Sequence, residues 1–275
     1  MADRDLRLPL GVGVLVLLVA YATLVPWVAG VDDRVTDFSA ARLAPSPGHP
    51  FGTDSAGRDL FVRTAAGLRV SLLIAVVCAA LSTVLGAVVG AVSAAAGGWV
   101  DRLVMRLVDG INAVPHLLLG IVLVALFRGS LVAIVASIAL THWTQVARIV
   151  RAEVLSLRDR PHVDAAVLGG ASRWRVVHRH LLPAALPQAL VAAVLLLPHA
   201  VWHESTLSFL GLGLPPHRPS LGTLLEEARS SLLLGGWWTL LFPALSLVLT
   251  TLAVAAVGSG VRQRISAPRR GATLR

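Results

Sequence analysis

The chain has no lysine: all 24 of its Lys or Arg positions are arginine. A phosphate-binding loop of the G-x-x-x-x-G-K-[ST] kind is therefore excluded, as is a Schiff-base lysine, so any ATP hydrolysis must come from another chain. Cysteine is reduced to Cys78, mid-way along an apolar run. A lone thiol forms no internal disulfide and no CxxC metal or redox site, and Cys78 reads as a small buried apolar residue. Charged side chains make up only 14% of the 275 residues and hydrophobic ones 56%, far from a soluble domain and close to one polytopic membrane domain. HExxH and G-x-S-x-G are missing, as are paired carboxylates in an apolar setting, so no catalytic constellation is present and no cofactor is expected. No internal repeat is evident, which weakens the case for an inverted-repeat secondary transporter.

What is present is a series of apolar runs. The first, Leu8 to Ala29, is long enough to cross a hydrocarbon core at roughly 20 residues. Bulky Trp27 sits two residues before the only plausible cleavage point at Ala29, so the run reads as a retained span and not a signal peptide. Further spans are expected at Val70 to Ala96, up to Phe127, at Leu131 to Val146, at Ala185 to Leu210 and at Trp237 to Val257. The third has an oddly polar first half with Arg106, Asp109, Asn112, Pro115 and His116. A charge in lipid costs on the order of 2.5–3.5 kcal/mol, so this half is expected at the membrane surface or facing other helices. The segments Val31 to Arg69 and Gly211 to Gly236 read as loops, the second carrying Pro215, Pro216, Pro219 and the acidic pair Glu226-Glu227. An arginine-rich tail follows from Arg262. The fold class expected is an all-α, six-span membrane bundle divided as 1–69 (first span and outer loop), 70–260 (membrane core) and 261–275 (cytoplasmic tail).

With both termini inside, the cytoplasmic parts hold 16 arginines against 7 acidic residues, and the outer parts 8 against 7. The positive-inside rule favours that orientation. The net charge of +9 is spread over several short loops instead of along one face, so lipid, and not nucleic acid, is the expected partner.

Two polar stretches carry pattern. In DRPHVDAAVLGGASRWRVVHRHLLP (Asp159 to Pro183), Pro161 suits a first helical turn, Asp164 its positive end, and Gly169-Gly170 a stop at positive φ. Ser172 can cap a second helix in which Trp174, Val177 and Leu181 share one side until Pro183 breaks the chain. The expected result is a helix-turn-helix knuckle in the cytoplasm. In GTDSAGRDLFVR (Gly52 to Arg63), a turn leads into a helix with Asp54–Arg58 and Asp59–Arg63 spaced for ion pairing. Within the spans, His199 and His203 stand four apart on one helix face, next to Glu204, and His142 precedes Trp143. An ionisable residue inside the membrane is a functional candidate by default, and imidazole suits nickel and similar metals.

The run Asp164-Ala165-Ala166, three residues, Gly170, nine residues, His180-Leu181-Leu182-Pro183 resembles the coupling loop of bacterial ABC-importer permeases, with Asp164 in place of Glu and His180 in place of Ile. GTDSAGRD before the second span and Leu207 to Gly213 (LSFLGLG) after Glu204 resemble the dipeptide, oligopeptide and nickel branch. The resemblance implies a non-catalytic permease subunit of the inner or plasma membrane. It would form half a pathway with a second, related permease, served by two ATPase subunits and an extracytoplasmic binding protein. Asp164, Ala165, Ala166, Gly170, Arg173 and Pro183 would then couple to an ATPase. His142, His199, His203 and Glu204 would line the path, with His199 and His203 as transient metal contacts, for nickel, a metal chelate or small peptides. A dipeptide- or oligopeptide-specific permease, an ion-gradient-driven secondary transporter and a membrane scaffold are the alternatives.

Overall fold

The computed structural model describes residues 2–29, 36–215 and 218–266, and the regular elements among them are helical. These are α1 (Ala2–Val28), α2 (Leu60–Ala96), α3 (Gly98–Ala113), α4 (His116–Leu126), α5 (Leu131–Arg158), α6 (Pro161–Leu168), α7 (Arg173–Val176), α8 (Leu182–Phe209), α9 (Leu221–Leu232) and α10 (Trp238–Ser266). Five stretches are long and apolar enough to cross a membrane: α1, α2, α5, α7 through α8, and α10. The sixth expected span is α3 plus α4, bent by 80°.

That bend has a local cause. Val114 precedes Pro115, whose ring disfavours helical backbone before it, and Val114 takes an extended ψ of 129°. The polar half thereby becomes a separate amphipathic helix, lying against α5 through ion pairs. Asp101 takes two N–H bonds from Arg151, at 2.6 and 2.5 Å, and Asp109 one from Arg148 at 2.6 Å. The apolar half that remains, α4, has 11 residues, about 16 Å of helix, which is half a bilayer.

The core forms where α2 meets α5 and α8. Gly86 and Gly90 let the α5 backbone lie directly on α2, since a Cβ on Gly86 would stand 2.5 Å from the Trp143 carbonyl oxygen and one on Gly90 would collide with that of Ala147. Two small residues four apart are the usual device for such contact in lipid, where association rests on close packing. Cys78 is buried there, beside Ile74, Ile134 and Ile138. On the far side α1 packs along α10 and α2, with the Tyr21 hydroxyl donating to the Phe61 carbonyl at 2.7 Å.

Three boundaries depart from the sequence reading. First, α2 starts at Leu60, ten residues before Val70, because Asp59 caps it by accepting from the Phe61 and Val62 N–H groups. Second, Pro183 does not break the chain. A π-helical segment, Val177–Leu181, joins α7 to α8 with the Leu182 N–H bonded five residues back to Val177. This wider turn relieves the clash that a proline ring makes with the carbonyl four residues before it. Third, the segment read as an outer loop contains α9, set by a reciprocal capping box between Ser220 and Thr223. Pro216 and tail residues 267–275 lie outside the described residues, and 261–266 continue α10.

Candidate functional site

The knuckle is built as its sequence suggests. Pro161 opens α6, Asp164 sits in its first turn, and Gly170 closes it at φ +80°. The Ala171 N–H reaches back to the Ala166 carbonyl at 3.0 Å, satisfying an end of the helix that would otherwise be orphaned. Ser172 caps α7 by accepting from the Arg175 N–H at 3.4 Å. Only Val163 of α6 is buried. Leu168 is 88% exposed and Trp174 61%, so the tip presents apolar side chains away from the bundle. The face that packs inward is Val176, Val177 and Leu181; Trp174 does not share it, because the π turn over Val177–Leu181 advances less than 100° per residue and brings Leu181 round toward the side of Val176. Behind the knuckle, toward the ends of α2 and α5, is a cavity of about 410 Å³.

A second feature lies inside the bundle, where α4, α5 and α8 bring four imidazoles together. His142 stands edge to face with His203 at 4.8 Å between ring centroids, 5.3 Å from His116 and 6.5 Å from His199. Its ring is fixed by Nδ1, which lies 2.9 Å from both the Ile138 carbonyl and the Thr141 hydroxyl. Donation to that carbonyl puts the proton on Nδ1 and leaves Nε2 free to accept. Asn112 extends the seam, accepting from the Thr144 hydroxyl at 2.8 Å and lying 3.3 Å from His116 Nε2. His142 is buried, His116 and His203 are half-buried, and His199 is exposed. Among the described residues no three His, Cys, Asp or Glu side chains are arranged to hold a metal ion.

Glu204 belongs to a different place. It is wholly buried, accepting from the Ser71 hydroxyl at 2.7 Å and the Ser208 hydroxyl at 2.9 Å, with Ser205 at 3.5 Å. Ser71 in turn accepts from the Leu221 N–H at 3.1 Å, so one carboxylate ties α2, α8 and the start of α9. The expected grouping of Glu204 with the imidazoles is not formed: a step of one residue turns it away from His203 toward serines.

The Gly52 to Arg63 segment closes the end of the bundle opposite the knuckle. Gly57 has φ +75°, and a Cβ there would collide with the Asp37 carbonyl. Nearby, Ser39 donates its hydroxyl and its N–H to the Asp37 carboxylate, which these bonds hold below the usual carboxylate range. Asp54 receives Arg58 Nε at 2.7 Å, as the spacing suggests. Arg63 does not pair with Asp59, which is occupied by its capping bonds and by His49 Nδ1 at 2.7 Å. Instead Arg63, 1% exposed, bonds Asp54 at 2.5 Å and Glu227 of α9 through both terminal nitrogens, at 2.7 and 3.2 Å. Arg58 reaches the same Glu227 at 3.2 Å.

Residues 82–269 match the family model described as the binding-protein-dependent transport system inner membrane component. The chain belongs to that family of transport permeases. The permease is 42% identical over 254 residues to the oligopeptide transport system permease protein OppC of Escherichia coli K12, covering 92% of this chain and 84% of that one. It is 37% identical over 265 residues to a putative peptide transport system permease protein of Brucella abortus, covering 95% and 87%. To the dipeptide transport system permease protein DppC of Bacillus subtilis it is 34% identical over 255 residues, covering 93% and 80%.

Two partners in the permease's geometry escaped sequence reading. His116 belongs with His142 across a bend that periodicity does not reveal; its signal was a histidine four residues after Asn112 in a stretch that should be apolar. Glu227 pairs with arginines more than 160 residues away, and its signal was an acidic pair in a loop flanked by apolar runs.

Proposed function

We propose that the permease imports peptides, forming half of a transmembrane path with a second permease and working with two ATPase subunits and an extracytoplasmic binding protein. The observation that carries this reading is mechanical. The knuckle, with its exposed apolar tip, is continuous through the π segment with α8, one helical run from Arg173 to Phe209 that carries His199 and His203. Closure of the ATPases around the tip would therefore displace the lining of the path itself, turning nucleotide energy into alternating access. In this reading both termini and the knuckle face the cytoplasm. His142, His199 and His203, joined by His116, line the path, where weak and multiple hydrogen bonds suit a cargo that must leave as well as enter. The names of the similar proteins support peptides as cargo. The four converging imidazoles favour a second reading, a nickel or metal-chelate cargo contacting His199 and His203 in passing.

A reconstituted complex tests coupling. Asp164→Lys and Gly170→Asp leave yield and helix content unchanged while uptake of peptide falls at least tenfold. No atom lies within 4 Å of the position of a Gly170 Cβ, so only the φ of +80° resists substitution inside the chain, at roughly 1–2 kcal/mol. Normal uptake by both variants contradicts the reading. Competition by nickel chelates, lost in His199→Ala and His203→Ala while peptide uptake persists, would favour the second reading.

A further inference from the structure

Helix α3 presents two different faces. Inward, Val108 is buried, with Met105 and Ile111 packed against Val89, Trp143 and Ala147. Both carboxylates of α3 are engaged within the bundle, Asp101 by Arg151 and Ser93 and Asp109 by Arg148. Outward, Trp99, Leu103 and Leu107 form one row at four-residue spacing, and all three are exposed. Arg102 and Arg106, also four apart, border that row; both are exposed, and neither has a hydrogen-bond or ion-pair partner among the described residues. The helix sits toward the knuckle end of the bundle, because Arg148 and Arg151 belong to the half of α5 next to the knuckle. Beyond the bend the apolar row has a counterpart without the charges: on α4, Leu118, Val122 and Leu126 are exposed at the same spacing, and that helix holds no arginine. An exposed apolar row that gains a tryptophan and two arginines on one side of an 80° bend marks the passage from hydrocarbon to lipid headgroups.

We propose that the outward face of α3 holds an anionic phospholipid, its phosphate between Arg102 and Arg106 and its acyl chains along Trp99, Leu103 and Leu107. Side chains four apart on a helix are neighbours, so one phosphate can accept from both guanidinium groups. The charges select the ligand, since the carboxylates of this helix are taken up by α5 and the cations bordering the row are of one sign. Free phosphate would answer the arginines and leave the apolar row in water; an acidic protein segment would do the same. A lipid satisfies both. That the leaflet is the cytoplasmic one rests on the orientation proposed above, and the site itself rests on α3. Because α3 is tied to α5 by two ion pairs and joined across Pro115 to His116, the headgroup also steadies the helix from which the imidazole cluster takes one of its members.

The test uses the intact complex purified with this chain, placed in nanodiscs of phosphatidylethanolamine with a varied share of phosphatidylglycerol. Native mass spectrometry reads how much phosphatidylglycerol the complex retains. Arg102→Gln combined with Arg106→Gln weakens retention about thirtyfold, the scale of two arginines at a charged surface. Both side chains are exposed and bond nothing among the described residues, so the double variant keeps the fold. Lysine at both positions keeps most of the retention. Arg262→Gln combined with Arg264→Gln, the same change of charge at the exposed end of α10, leaves it as in the native chain. A photo-crosslinking residue at Leu103 joins the chain to lipid. Native retention in the α3 glutamine variant, an equal loss in the α10 variant, or crosslinks from Leu103 to a protein subunit overturns the proposal. A complex that holds phosphatidylglycerol at α3 and takes up no peptide overturns the importer reading instead.

Discussion

Replacing Arg63 with methionine lowers the stability of the permease by about 3 kcal/mol, at the lower end of what breaking a buried ion pair costs when one partner is removed. The guanidinium is 1% exposed and supplies three of the bonds that hold Asp54 and Glu227. Without it both carboxylates remain in place, with Arg58 the one guanidinium among the described residues still bonded to them. Methionine fills similar volume, so the loss is one of charge and hydrogen bonding and not of packing. Arg63→Lys keeps the charge but cannot present a planar fork to Glu227, and falls between the two. Thermal unfolding of the purified chain in detergent reads the difference. A melting temperature for Arg63→Met equal to that of the native chain would remove the clamp from the account.

The second large effect concerns Glu204. Glu204→Leu leaves the hydroxyls of Ser71 and Ser208 without their acceptor and cuts the path from the Leu221 N–H through Ser71. Two short hydrogen bonds to a buried acceptor place the loss at about 2 kcal/mol or more. Glu204→Gln keeps an acceptor oxygen, and serine hydroxyls can rotate to accept from its amide, so it stays close to native. In these variants uptake is expected to fall in step with stability, since Glu204 is wholly buried among the serines of α2 and α8. A Glu204→Gln chain that melts like the native one yet transports nothing would place Glu204 in the path after all.

Much of this architecture is legible in the sequence because membrane burial imposes strong local rules. Apolar runs gave five spans, and Pro161, Asp164, Gly170 and Ser172 gave the knuckle, since caps and positive φ depend on neighbouring residues alone. Local rules fail where a distant partner wins. The spacing of Asp59 and Arg63 is right for a pair, but Asp59 is claimed by the end of α2 and Arg63 by Glu227, 164 residues away. Pro183 looks like a break because a π turn that absorbs it leaves no residue signature. Helix α9 was hidden by the prolines before it, although Ser220 and Thr223 announce it. Glu204 and His203 are adjacent in sequence and differently partnered in space, and only packing against α2 and α5 decides that.

The most direct test of the knuckle as the handle for a nucleotide-hydrolysing partner is a photo-crosslinking residue placed at Leu168, the exposed end of α6 at 88%. Illumination of the intact complex should join this chain to an ATPase subunit, with the yield changing between nucleotide-free and ATP-bound states. Crosslinks from Leu168 that go to the binding protein, or to no ATPase in either state, would contradict the account.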